Sequence, residues 1–208
     1  EEEFNYLDER FADIQMLRYR LPEFSKLTLD QKQLIYCLSK ATLYGRDITF
    51  DQFGKYNLRI RKMLETIYVY VQRDRFSDQK ILFSDQRGNN NSQRNKLEDE
   101  YNGLEQYLKQ VWFASGIYHH YACDKFAPLF SETFLREVTM KIDPKLLPLK
   151  EGESVEAMLD ELCPIIFDPT VLPKRVDKSD GTDIVQASAC NFYEGVNQHE
   201  VEAFYAQM

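Results

Sequence analysis

The 208-residue chain lacks any run of 18 apolar residues, so nothing in it reads as a membrane-spanning helix. Cysteine is sparse: Cys37, Cys123, Cys163 and Cys190 stand far apart and form no Cys-x-x-Cys pair. That removes the paired-thiol zinc motifs and leaves little case for a disulfide scaffold. A domain of this length removes about 70% of its unfolded surface from water and needs no covalent staple. The thiols are therefore expected to be reduced and largely buried. Positive charge is short as well, with 26 Lys and Arg against 34 Asp and Glu and a net charge of −8. Nucleic acid is not an expected partner, because such a binder needs a positive field to displace counterions. The densest basic cluster, Arg59, Arg61 and Lys62, reads as a solvated helix face.

Catalytic signatures are missing too. There is no Gly-x-Ser-x-Gly, no His-Glu-x-x-His, no Walker loop and no Gly-x-Gly-x-x-Gly. Histidine occurs three times, at 119, 120 and 199. Neighbouring His119 and His120 point apart on either a helix or a strand. With Cys123 they make a poor zinc site, which needs three or four converging donors. Cys123 has no evident base or oxyanion hole to make it a nucleophile. The run Asp177 to Asp183 fails as a calcium loop, since glycine falls fifth and Ser188 stands where a glutamate is needed. It reads as an Asp-Gly turn. The expectation is no metal site and no catalytic residue in this chain.

What the sequence does hold is helical periodicity and aromatic side chains, 13 Tyr and 14 Phe. Phe4, Leu7, Phe11, Ile14 and Leu17 recur every three or four residues and predict a first helix ending before Pro22. Thr28 and Gln31 form a capping box for a second, with Leu34, Ile35, Leu38 and Ala41 inward and Gly45 as its stop. A third covers about 52–72, with Tyr56, Ile60, Met63, Leu64, Ile67 and Val71 as its stripe. Residues 73–96 are polar and centred on Gly88-Asn89-Asn90-Asn91-Ser92. They predict a long surface loop or insertion, pinned at Ile81-Leu82-Phe83. Asn90-Asn91-Ser92 has the spacing of a glycosylation acceptor.

A fourth helix is predicted over 97–115, with Leu97, Tyr101, Leu104, Leu108, Val111 and Trp112 inward. Its acidic start, Glu98-Asp99-Glu100, complements the helix dipole. Ser131 caps a fifth carrying Phe134, Leu135 and Val138. Ser154 caps a sixth with Val155, Met158, Leu159 and Leu162, closed by Pro164. Short strands are expected near 165–167 and 184–187. Asn197 with Glu200 opens a last helix bearing Val201, Phe204, Tyr205 and Met208. That stripe stops without a terminating signal, so the chain is expected to be part of a longer protein. The fold class is mainly α: about six to seven helices with a few short strands.

Several stretches resemble a known family. FADIQMLRYRLPEF (11–24), GRDITFDQFGKYNLRIRKMLETIY (45–68), YLKQVWFASGIYHHYACDKFAPLFS (107–131), IFDPTVLPKRV (166–176) and NFYEGVNQHEVEAFY (191–205) resemble, in collinear order, the N-terminal region of bacterial dipeptidyl peptidase III. The resemblance breaks at about 73–96. It implies that residues 1–208 are the non-catalytic N-terminal region of a two-lobed zinc exopeptidase that releases dipeptides from oligopeptides. The family's His-Glu-x-x-Gly-His and Glu-Glu-x-x-Ala-Glu/Asp motifs do not occur here. Zinc is therefore expected in the full-length parent and not in this chain.

The implied partners are the catalytic lobe of the parent and an oligopeptide substrate. As one wall of the peptide cleft, the chain offers Tyr118, His119, His120 and Tyr121, with Asn191 and Tyr193 as a second polar-aromatic pair. The competing reading of these residues is that the tyrosines pack and the histidines cap backbone groups. Two alternatives for the whole chain stand beside the family reading: a free-standing helical module that binds proteins or peptides, and a small-ligand binder using the aromatic connection near Tyr118. Bare cysteines suit the cytoplasm. The Glu1-Glu2-Glu3 start equally suits a bacterial cell-envelope or periplasmic protein whose export signal has been removed.

Overall fold

A computed structural model describes residues 4–76 and 91–208. Among these the chain is mainly α-helical, with seven α-helices and one pair of short antiparallel strands. It divides into two compact units, residues 1–49 and 50–208.

The first unit overturns the first predicted helix. Residues 7–17 form a hairpin, β1 (Leu7–Phe11) and β2 (Ile14–Leu17), with Phe11 opposite Ile14 and Leu7 opposite Leu17. Ala12 turns the chain at φ 47°. The apolar spacing fits either form, because a register irregularity between Leu7 and Arg10 lets a 3.5-residue rhythm sit on a strand pair. After a 3₁₀ turn at Pro22–Lys26, α1 (Leu29–Phe53) begins on the predicted box. Thr28 N–H donates to Gln31 Oε1 at 2.9 Å and Gln31 N–H to Thr28 Oγ1 at 3.3 Å. Gly45 does not stop it. A helical glycine costs about 1 kcal/mol relative to alanine, too little alone to end a helix held on both sides. The expected inward face is exposed: Leu34, Ile35 and Leu38 are open to solvent, as are Leu43 and Ile48. Within residues 4–49 one described side chain, Ile14, is buried.

The second unit has the core. α2 (Asn57–Phe76) and α3 (Asn91–Ala114) pack together. Ile60, Met63, Leu64, Ile67 and Val71 from α2 meet Tyr101, Leu104, Leu108 and Val111 from α3, all as predicted. Trp112 is the exception, 41% exposed, its indole N–H donating to Glu65 Oε1 at 2.8 Å. Both helices run into the predicted loop, α2 to Phe76 and α3 back to Asn91. Residues 77–90, including the Ile81-Leu82-Phe83 pin, lie outside the described residues. The acidic triplet is thus well inside α3 rather than in its first turn, and it bridges. Glu98 pairs with Arg75, and Glu100 accepts from Ser131 N–H and Oγ at 2.6 and 2.8 Å.

Two further helices complete the core. α4 (Glu132–Thr139) and α5 (Val155–Phe167) start on the predicted caps, with Ser131 and Ser154 Oγ each accepting a backbone N–H at 3.1 Å. Pro164 does not end α5. It lies in the last turn, where it removes one ladder bond while Ile165 and Ile166 stay buried. The strand expected at 165–167 is therefore helix. So is the one at 184–187: α6 (Ile184–Ala187) is a single turn capped by Asp183, whose Oδ1 accepts from Val185 and Gln186 N–H. α7 (Gln198–Tyr205) carries the full Asn197–Glu200 capping box.

The basic cluster is not a solvated face. Arg59 spans Glu153 and Glu161 and donates to Pro148 O at 3.0 Å, and Arg61 is buried over Phe50. Lys62 alone is exposed. The cysteines are free but only Cys163 is buried, with its thiol pushed up to about 11 by burial, and Cys37 is exposed. Tyr107 lies in the core with its hydroxyl unpartnered among the described residues, and burial drives the phenol far above its ordinary value. A buried hydroxyl without a partner costs about 1–3 kcal/mol. Tyr107→Phe should therefore raise stability by about 1 kcal/mol, read as a higher urea midpoint with unchanged slope.

Candidate functional site

The aromatic connection predicted after Gly116 is a tight reversal stapled to the 171–176 segment. Phe126 N–H donates to Ile117 O at 2.9 Å, His119 N–H to Asp124 O at 2.8 Å and Cys123 N–H to His119 O at 3.0 Å. The turn uses Cys123 at φ 63°. A second strand-like segment joins it: Lys125 N–H donates to Pro173 O and Arg175 N–H to Cys123 O. A third follows, with Ala189 N–H on Lys174 O and Cys190 N–H on Arg175 O. Lys125 ties the same ground from the side. Its ammonium donates to Asp168 O at 2.8 Å and to Val171 O. Partial burial lowers its pKa, and Asp168 opposes that shift.

The six residues singled out in the sequence play unlike parts. Tyr118 is buried, its hydroxyl donating to Leu172 O at 3.0 Å. Its phenol is held above its ordinary value by burial. His119 Nδ1 accepts from Tyr121 N–H at 3.2 Å and Ala122 N–H at 3.0 Å, so that nitrogen caps the turn and is not open as a base. His120 stacks on His119 with ring centroids 4.5 Å apart and meets Phe113 edge-on. Its Nδ1 is buried without a partner among the described residues. Tyr121 is the outlier at 86% exposed.

The second pair reaches elsewhere. Asn191 donates its backbone N–H to Gln52 O at 2.9 Å. Tyr193 is exposed, and a hydrogen bond with the Tyr205 hydroxyl raises its pKa. The two groups are linked through Arg175, whose backbone N–H meets Cys123 and whose carbonyl meets Cys190.

Arg175 is the residue that sequence reading passed over. It sits at the centre of the three segments, its guanidinium 4.3 Å from the Phe53 ring centroid. With Lys174 and Lys178 it gives three cations in five positions, a denser signal than its neighbours suggest, since Asp177 dilutes the local charge. These residues line an open depression of about 530 Å³ together with Tyr121, Cys123 and Ser179. Among the described residues no group of three or more His, Cys, Asp and Glu side chains is placed to hold a metal ion. No described helix is long and apolar enough to cross a membrane. No protein-family model matches the chain, and no match was found among curated proteins.

Proposed function

We propose that this chain is the non-catalytic N-terminal part of a dipeptidyl peptidase III-like zinc exopeptidase, forming one wall of a peptide cleft. The observation that carries this reading is the bare first unit. Between residues 4 and 49 one described side chain is buried, while Leu34, Ile35, Leu38, Leu43 and Ile48 stand exposed along α1. An isolated hairpin is marginal in water, and a helix gains most of its stability from packing an apolar face. Such a segment is stable as part of something larger that covers it, as the collinear resemblance implies. Zinc and its general base then belong to the remainder of the parent. Tyr121 and Tyr193, the two exposed members of the aromatic set, are the side chains most open to touch a peptide.

Reading the coding frame beyond Met208 tests the proposal. A His-Glu-x-x-Gly-His downstream is the expected result, and a natural stop codon immediately after Met208 would sink it. Hydrogen exchange tests the supporting observation. Backbone amides of 29–49 should exchange fast in the 208-residue chain and slowly in the longer protein. Equal protection in both would mean that α1 has no missing partner. A free-standing helical module for proteins or peptides is the second reading, and the same exposed α1 face favours it if the frame ends here.

A further inference from the structure

No described carboxylate pairs with the Arg175 guanidinium. Among the described side chains, the other enclosed guanidinium groups of the second unit meet carboxylates: Arg59 with Glu153 and Glu161, Arg61 with Glu65, Arg75 with Glu98, Arg136 with Glu132 and Asp160. The groups its guanidinium contacts among the described residues are neutral. One terminal nitrogen, Nη2, donates to His120 O at 3.1 Å and lies 3.6 Å from Cys123 Sγ. Its buried Nε has no acceptor among the described residues. A guanidinium stays charged at every accessible pH, and enclosing an uncompensated charge is costly. The same depression carries Lys174 and Lys178, neither of which ion-pairs with a described carboxylate. Asp177, two residues after Arg175, has its carboxyl held below the ordinary value, first by hydrogen bonds from Ser179 and further by the charge of Lys174. Its Oδ1 accepts from Ser179 N–H and Oγ at 3.0 and 2.6 Å, and no cation lies in direct ion-pair contact with it.

We infer that the depression between the 121–123 turn and residues 174–179 binds a small phosphomonoester. Three cationic residues, Lys174, Arg175 and Lys178, line one open space in a chain of net charge −8, and no described carboxylate is among its lining residues. A phosphate dianion matches that charge better than a carboxylate, and its several oxygens suit donors on separate side chains. The space of about 530 Å³ holds more than bare phosphate and falls within the size of small-molecule sites. Tyr121, at the rim and 86% exposed, presents a ring for the organic body of the ligand. The inference stands apart from the peptidase reading, since it rests on residues 121–179 alone.

Calorimetric titration of the 208-residue chain at low ionic strength tests it, with adenosine monophosphate, inorganic phosphate and acetate as probes. The expected result is saturable one-to-one binding of adenosine monophosphate, tighter than phosphate and far tighter than acetate, weakening as salt rises. K174Q/K178Q should lower that affinity by about tenfold or more while the circular dichroism spectrum is unchanged. Neither ammonium makes a hydrogen bond or ion pair with a described residue, and the unchanged spectrum checks that the double variant keeps its fold. Y121A should erase the advantage of adenosine monophosphate over phosphate. Absence of saturation, or unchanged affinity in K174Q/K178Q, would overturn the site. Equal affinity for phosphate and adenosine monophosphate in the unaltered chain would overturn the claim that an organic body is recognised.

Discussion

Arg59→Ala should destabilise the second unit by about 3–5 kcal/mol at neutral pH, the range for removing one partner from a buried ion pair. Arg59 and Glu153 have side chains only 13% and 12% exposed, and Glu161 is 30% exposed. Removing the guanidinium leaves Glu153 without its cation, while Glu161 keeps its ion pair with Lys150. It also frees Pro148 O, so the 148–153 segment loses its tie to α2. The penalty has a pH signature. The Glu161 carboxyl is held below its ordinary 4.5, first by its hydrogen bond with Lys150 and then by Arg59. A depressed folded-state value contributes stability above the unfolded value and loses it as pH falls through the folded one. The gap between Arg59→Ala and the unaltered protein should thus be widest at neutral pH and narrow below pH 4.5. Trp112, the single tryptophan, lies against Tyr68 in the second unit and reports the transition by fluorescence. A variant that unfolds at the same urea concentration as the unaltered chain would show that the ion network adds nothing.

The helical core was legible because its signals are local. Stripes at three- and four-residue spacing on α2 and α3 can be buried only one way, and Ser131, Ser154, Thr28 and Asn197 each announce a helix start through a side chain three residues from its acceptor or donor. The first eighteen residues were not legible for the opposite reason. Phe4, Leu7, Phe11, Ile14 and Leu17 fit a helix by spacing, and only the cross-strand pairing of Phe11 with Ile14 selects the hairpin. Length misled at 165–167 and 184–187, where short apolar runs do not separate strand from helix and the deciding contacts lie in Asp183 and the buried face of α5.

The candidate site was legible by composition and not by role. The aromatic and histidine run at 118–121 stood out at once, yet Tyr118 turned out to anchor Leu172 and His119 to cap its own turn. Those partners are backbone atoms, which leave no trace in residue identity. Arg175 was hidden the same way. Its meaning comes from which acids are absent around it, and a sequence cannot show that a charge lacks a neighbour. Arg59 is the mirror case: it looked like a surface cation because Glu153 and Glu161 are about a hundred residues away in the chain.

Gly116→Ala should cost about 3 kcal/mol, and the site itself explains why the two causes add. Gly116 has φ +154°, a region L side chains rarely enter, with a penalty of about 1–3 kcal/mol. A Cβ there would also sit 2.7 Å from Asn57 Cγ. Asn57 cannot step aside. It is 1% exposed, and its Oδ1 accepts the Ile117 N–H at 3.3 Å, which positions the first residue of the 117–126 reversal. Gly152→Ala separates the causes. Gly152 has φ +73° and open space around it, so its alanine meets backbone strain alone and should cost about 1–2 kcal/mol. Urea unfolding of both variants followed at Trp112 tests this, with Gly116→Ala expected to lose more than Gly152→Ala. Equal losses would mean that Asn57 yields, and the reversal that carries Tyr121 and Cys123 would then not depend on how α2 meets the end of α3.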